Sequence, residues 1–563
     1  MSGGRIEIIF LWHMHQPDYR DHASGEFTLP WVYLHALKDY TDMAGHLERH
    51  PRLHAVVNFV PVLLDQIEDY GEQFTSGVWR DPLLRLLAEP DLDRITTGER
   101  KLVIDSCFRT NHVSMIEPFP HYKRMRDLLR IVEGQDEAAQ AYLSSTYISD
   151  LITWYHLAWA GETERRARPL LAELMAKGKG FTAHDRAQLV ALIGEVVHSL
   201  IPRYRALAAS GQIELTTTPQ THPLAPLLID FASAREAEPA AVLPGASCYP
   251  GGRTRTTAQL ESALASHAAR FGAPPAGVWP AEGAVSNAFL KLLAASGCRW
   301  TATSESVLRA SLRDAAHELP HGQHLYRPYR IEGAPGLDVF FRDEKLSDMI
   351  GFEYRHWHGK DAAADLVARL HAIRRQTPEG ETAVVTIILD GENAWEYYPY
   401  NGHYFFEDLY AMIEADPDLH TTTCADYLAR NPDSARTLQG VVAGSWVYGS
   451  FSTWIGHPDK NRAWDLLCAA KQTYDLVVDS GRLTAQEQRA AAAQLASCES
   501  SDWFWWFGGH NPAQAVASFD RLFRLNLSNL YQCLKVEPPA ALAEAVSHGG
   551  GEPESGGTMR RAT

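Results

Sequence analysis

AVVTIILDGENAWE, residues 383–396, changes character half-way along. Its first seven residues are uncharged and, Thr386 apart, apolar. Asp390, Glu392, Trp395 and Glu396 then follow within seven positions. An unbroken apolar, β-branched run of this length reads as a strand covered on both faces. The acids arrive where such a strand would leave the core.

Similar runs recur along the chain: IEIIFLWH (6–13), HAVVNFVP (54–61), QIELTTTP (212–219), AGVWPAEG (276–283), RWTATS (299–304) and DVFFRD (338–343). Stretches with apolar residues every three or four positions separate them, as in DRAQLVALIGEVVHSLIPRYRALAAS. Buried strands alternating with helices predict a parallel α/β sheet, and seven of them a closed or nearly closed barrel. Residues 62–205 are too many for one crossover and are expected to form a helical insertion. The strand signal fades after 430. We expect a catalytic barrel over 1–430, a helical C-terminal domain over 431–540 and a disordered, Gly-rich tail over 541–563.

The 563 residues exceed one ordinary core. The net charge is −17, which disfavours nucleic acid and anionic membrane as partners. Seven scattered cysteines without a CxxC pair argue against a disulfide framework or a Cys-based zinc site. The first residues lack the shape of a signal peptide, and no run approaches membrane-spanning length, so a cytoplasmic location is expected.

Several strands end in the same chemistry. The first ends in His13 and His15; the third carries Glu214 and leads to His222; the fourth ends in Trp279 and Glu282; the seventh ends in Asp390 and Glu392. In an α/β barrel these strand ends share one rim, where catalytic groups sit. Each residue also has an ordinary role open to it: a hydrogen-bonded loop histidine, a turn aspartate before Gly391, a helix-capping Glu282, an ion-paired Glu214. Their coincidence on one rim favours a site. Two chemistries suit it. In glycoside hydrolysis, Glu282 and Asp390 form the carboxyl pair. In metal-assisted hydrolysis, His13, His15 and Asp390 hold a divalent ion.

The chain resembles glycoside hydrolase family 57. The motifs that carry the resemblance occur in order: HMHQP (13–17), GQIELTTTPQTHPLAPLL (211–228), GVWPAEGAVS (277–286), ILDGENAWEYYPYNG (388–402) and GSFSTWIGHPDKNRAW (449–464), with DWFWWFGGHN (502–511) similar to the family's amylase and amylopullulanase branch. The resemblance implies an incomplete TIM-type (β/α)7 barrel followed by a helical domain. It implies retaining action on α-glucans at α-1,4 bonds, with α-1,6 bonds in an amylopullulanase type, and no required metal or cofactor. Glu282 becomes the nucleophile and Asp390 the acid/base. His15, Glu214, His222 and Trp454 join the substrate site by the same resemblance. His13, Trp279, Trp395 and Trp446 are added from their residue types, as donors to sugar hydroxyls or faces for sugar rings. Chemistry requires Glu282 to be ionised at attack and Asp390 to be protonated. The alternatives are a 4-α-glucanotransferase or glucan branching enzyme and, from other classes, a metal-dependent barrel deacetylase or a non-catalytic glucan-binding protein.

Overall fold

The computed structural model describes residues 4–133, 142–312 and 324–551. The buried runs become parallel strands: β1 (Arg5–Met14), β2 (Ala55–Phe59), β3 (Ile213–Thr217), β4 (Gly277–Val278), β5 (Trp300–Ser304), β6 (Asp338–Arg342) and β7 (Thr382–Asp390). Each pairs with the next, and β7 pairs back onto β1 from Arg5–Thr382 to His13–Asp390, so the sheet closes. The closure is uneven. A single pair, Arg342 with Thr386, joins β6 to β7. The Arg342 side chain reinforces it by donating Nε–H to the Ile388 carbonyl at 2.8 Å.

Side chains fill the interior. Ile9, Leu11, Val56, Trp279, Trp300, Phe340 and Ile388 pack there as one cluster. Cys424 and Tyr427, from helix Cys424–Arg430, belong to the same cluster and close the end where the strands begin. At the other end the pleat and register line up His13 with both Asn58 and Asp390. The barrel is a solid platform, and the polar residues emerge on one rim.

Between β2 and β3 lies the expected helical insertion, from helix Pro61–Ser76 to helix Ala183–Ala209. Two of its helices start with capping boxes, Thr96 with Glu99 and Thr182 with Asp185. The fourth strand is shorter than the expected 276–283. Pro280 has no N–H to donate, and Glu282 and Gly283 both adopt left-handed backbone, so the chain leaves the sheet after Val278.

Among the described residues past 430 the regular structure is helical apart from the short strand Arg436–Leu438, which pairs with Tyr329–Ile331, and residues 439–457 run as turns and irregular chain. Helices Pro458–Asp479, Ala485–Cys498, Asp502–Trp506 and Ala513–Cys533 do not form a separate core. Their buried side chains, Trp464, Trp503, Phe504 and Phe523 among them, belong to the hydrophobic cluster that also holds Trp12 and Tyr40. The tail starts later than 541. Leu542 and Val546 are buried, and Asp520 accepts the Val546 and Ser547 amides. The remainder of the expected tail, 552–563, lies outside the described residues. No helix among the described residues is long and apolar enough to cross a membrane.

Candidate active site

The site is built on β1 and its two neighbours. Gly391 follows Asp390, and its amide donates to the His13 carbonyl at 2.7 Å. A Cβ at Gly391 would lie 2.0 Å from the Met14 sulfur, so a larger residue there would have to displace the Met14 side chain. Opposite, Glu282 sits in the turn Ala281–Gly283 with φ of +58°. That left-handed conformation is uncommon for a residue with a side chain and aims Glu282 into the pocket. The Trp446 backbone N–H bonds the Glu282 carbonyl at 3.0 Å, and its indole Nε1–H donates to Glu282 Oε2, also at 3.0 Å.

Around these carboxyls the pocket is lined by His13, His15, Gln16, His222, Arg342, Glu392, Trp446 and Asp502, among others. Glu282 and Asp390 keep an edge open to the pocket but are otherwise enclosed by protein. Burial pushes Glu282 up to about 8, and the charge of Asp390 adds to it. Burial likewise pushes Asp390 up to about 6, opposed by the amide that Asn393 donates to it at 2.8 Å and by the cationic Arg342 nearby. Near pH 7 one of the two carboxyls carries a proton, and Glu282 stands higher than Asp390, the reverse of the order that an ionised nucleophile and a protonated acid require. Glu392 is also raised well above the ordinary carboxylate range, by burial and then by Asp390.

Behind the carboxyls runs a buried line of hydrogen bonds. Asn58 Oδ1 accepts from His13 Nδ1–H at 2.6 Å. That leaves His13 Nε2 to accept from His222 Nε2–H at 3.1 Å, and His222 Nδ1 to accept from the Ser501 hydroxyl at 2.8 Å. The Ser501 oxygen is 3.3 Å from Glu282 Oε1. Burial lowers His13 to about 3 and His222 well below its ordinary value, so both rings are neutral. His222 is also left-handed, with φ of +62°. His15 stacks on His222 at 3.8 Å between centroids, and its Nε2 meets both Asp502 oxygens at 3.0 Å.

Of the residues expected from sequence, His13, His15, His222, Glu282 and Asp390 come together in this pocket. Glu214 does not line it. It lies level with Leu11, two residues below the rim, where its carboxylate accepts from Trp300 Nε1–H at 2.6 Å and the Ala425 amide at 2.9 Å. Trp279, Trp395 and Trp454 are 0–1% exposed and offer no open face. Trp279 is the floor beneath His13, Trp395 packs on Trp12 and Phe406, and Trp454 packs on Trp505. Trp446, also offered by the sequence as a face for sugar rings, does line the pocket, together with Trp505, Trp506, Tyr19, Phe352 and Phe519. Asn58, Arg342, Ser501 and Asp502 had no assigned role in the sequence reading. The only local signal for the last two was an acid heading an aromatic run, SSDWFWW.

His15, His222 and Asp502 each bring one potential ligand atom within 4.8 Å of the others, as do His46, His403 and Glu407 elsewhere. The set expected for a metal, His13, His15 and Asp390, is not so arranged. Both His13 nitrogens are taken by Asn58 and His222. The atoms that border the pocket and lack a hydrogen-bond partner are His15 Nδ1, Arg342 Nη1 and Glu392 Oε2. All three atoms are themselves buried within the wall.

Residues 9–438 match the model of Glycosyl hydrolase family 57. The chain belongs to that family. Three family 57 or α-glucan-active structures resemble the fold. They are a family 57 branching enzyme from Pyrococcus horikoshii (TM-score 0.57, 16% identity, 96% of each chain covered), the α-amylase AmyC from Thermotoga maritima (0.54, 14%, 95% of this chain and 94% of that one) and the 4-α-glucanotransferase from Thermococcus litoralis (0.52, 14%, 94% and 60%). At these identities the likeness is one of fold. No curated protein matches the chain significantly. In this family 57 chain the closed seven-stranded parallel barrel is the expected one.

Proposed function

We propose that the protein is a retaining enzyme of α-glucan metabolism, with Glu282 as nucleophile and Asp390 as acid/base. The observation that carries this is the pair itself: two carboxyls from different strand ends, both raised by burial, lining one pocket. Glu282 attacks the anomeric carbon while Asp390 gives its proton to the leaving oxygen. Water, deprotonated by Asp390, then displaces Glu282 and completes hydrolysis of an α-1,4 bond, with α-1,6 bonds cleaved in an amylopullulanase type. The reaction needs the proton on Asp390 at attack, whereas in the free protein burial favours it on Glu282. Trp446 Nε1–H, donating to Glu282, stabilises the ionised nucleophile.

The second reading replaces water by a sugar hydroxyl, giving a 4-α-glucanotransferase or branching enzyme. It is supported by the activities printed for the structural relatives, which include both. Incubation with maltoheptaose separates the two. A steady rise in reducing ends is expected for hydrolysis, and longer oligosaccharides without that rise for transfer. Glu282→Gln and Asp390→Asn are each expected to lower kcat by about 10³-fold or more. Near-wild-type turnover in either variant would remove the assignment. All seven cysteines are free, which supports a reducing, cytoplasmic setting.

A further inference from the structure

Away from the pocket, three histidines and a carboxylate gather between two helices. Helix Thr41–Arg49 follows β1 and helix His403–Ala415 follows β7, and these strands are neighbours in the sheet. His46 and His50, at the end of the first helix, are four residues apart. His403 and Glu407, at the start of the second, are also four apart. Residues at that spacing stand one above the other on a single helix face. The two pairs meet. One ligand-type atom each from His46, His403 and Glu407 lies within 4.8 Å of the others, and His50 Nε2 lies 3.7 Å from Glu407 Oε2. None of the four lines the active-site pocket.

These polar atoms face one another with too few protons to share. Glu414 Oε2 accepts from His50 Nδ1–H at 3.1 Å. The lone pair of His50 is therefore on Nε2, which is buried without a hydrogen-bond partner. His46 Nδ1 accepts from Arg49 Nη2–H at 2.9 Å, so it has no proton to give to Glu407 Oε1, 3.2 Å away. His403 is 8% exposed, and its Nδ1 also lacks a partner. A carboxylate facing imidazole lone pairs needs a cation among them. Arg49 supplies one in part, since its Nη2 also donates to Glu407 Oε1 at 2.7 Å. It bonds neither His50 nor His403 among the described residues.

The donor set selects the ion. Imidazoles with one carboxylate suit zinc and its first-row neighbours, whereas calcium and magnesium take oxygen ligands. Donors around a four-coordinate zinc stand about 3.3 Å apart, so the set has to draw in, and the partly exposed Glu407 side chain has the freedom to do so. Phe406 stacks on the His46 ring at 4.6 Å and fixes its direction. Glu414 already provides the outer carboxylate that metal-bound histidines commonly carry.

We propose that His46, His50, His403 and Glu407 form a binding site for a divalent ion of the zinc class. The ion displaces the Arg49 guanidinium and pins the helix after β1 to the helix after β7. In the test, full-length protein freed of metal with EDTA is titrated with zinc, and melting is followed with and without the ion. Wild type is expected to take up zinc at micromolar concentration and to melt higher with it. His403→Ala should bind at least tenfold more weakly and lose the melting shift. Glu414→Gln, which keeps all four ligands, should weaken binding about tenfold. Arg49→Met, which removes the competing cation, should bind at least threefold more tightly than wild type. Wild type that takes up no zinc would overturn the proposal. So would binding within twofold of wild type in both His403→Ala and Arg49→Met, or binding that is lost in Asp502→Asn and kept in His403→Ala, which would place the ion in the active-site pocket.

Discussion

Glu282 and Asp390 make the activity a property of one shared proton. Below pH about 6 both carboxyls are protonated and there is no nucleophile; above about 8 both are ionised and there is no acid. kcat/KM is therefore expected to be bell-shaped with a maximum near pH 7. In Asp390→Asn the Glu282 carboxyl should titrate lower, because the neighbouring charge that helps to raise it is gone. The same burial costs stability. A carboxyl raised in the folded state carries no penalty below its unfolded value near 4.5, and the penalty grows as pH rises through the folded value. Glu282→Gln is thus expected to melt higher than wild type by about 1–2 kcal/mol at pH 8 and to match it at pH 4. Equal melting shifts at both pH values would contradict the burial argument. Sequence pointed to this pair because each acid ends an apolar run, a signal contained in a few residues. Asp502 had no such signal. It meets His15 across 487 positions, and nothing local says that an exposed-looking acid folds back onto the first strand.

At the scale of elements, the strands were legible because two covered faces demand continuous apolar runs. Their ends were less so. The Pro280 turn cuts β4 to two residues, and it is this turn, not strand pairing, that delivers Glu282. Three of the four tryptophans named from sequence, all but Trp446, were misplaced for a related reason: residue type cannot separate a ring packed under the rim from one that lines it. Trp279 and Trp446 touch edge to face at 5.2 Å, yet only Trp446 reaches the pocket. The helix Asp502–Trp506 contributes Asp502, Trp505 and Trp506 together. Asp502→Asn is expected to lower kcat about 10–100-fold with little change in melting temperature, because His15 loses the carboxylate that orients it. A large drop in melting temperature with unchanged kcat would assign Asp502 to folding alone.

For the whole molecule, the division at 430 describes the sequence and not the site. Helices drawn from the last hundred-odd residues carry Ser501 and Asp502 onto histidines from β1 and the loop after β3. The barrel supplies position, and the C-terminal helices supply one wall of the pocket. A protein ending before those helices is expected to lack activity and to lose solubility, since the apolar surface they cover would be exposed. A soluble, active fragment of this kind would show that the barrel suffices alone.

The uneven closure of the barrel bears on how the pocket moves. Where β6 meets β7 the wall is held by one residue pair and by Arg342. The same guanidinium bonds Asp348 at 2.8 Å and lies 5.8 Å above the ring of Trp446, whose indole holds Glu282. Amide exchange in β6 should accordingly run ahead of that in β1, and Arg342→Met should speed it while lowering kcat. Of the two seams joined by a single pair, the other being Thr217–Val278 between β3 and β4, this one is tied through one guanidinium to the tryptophan that holds the nucleophile.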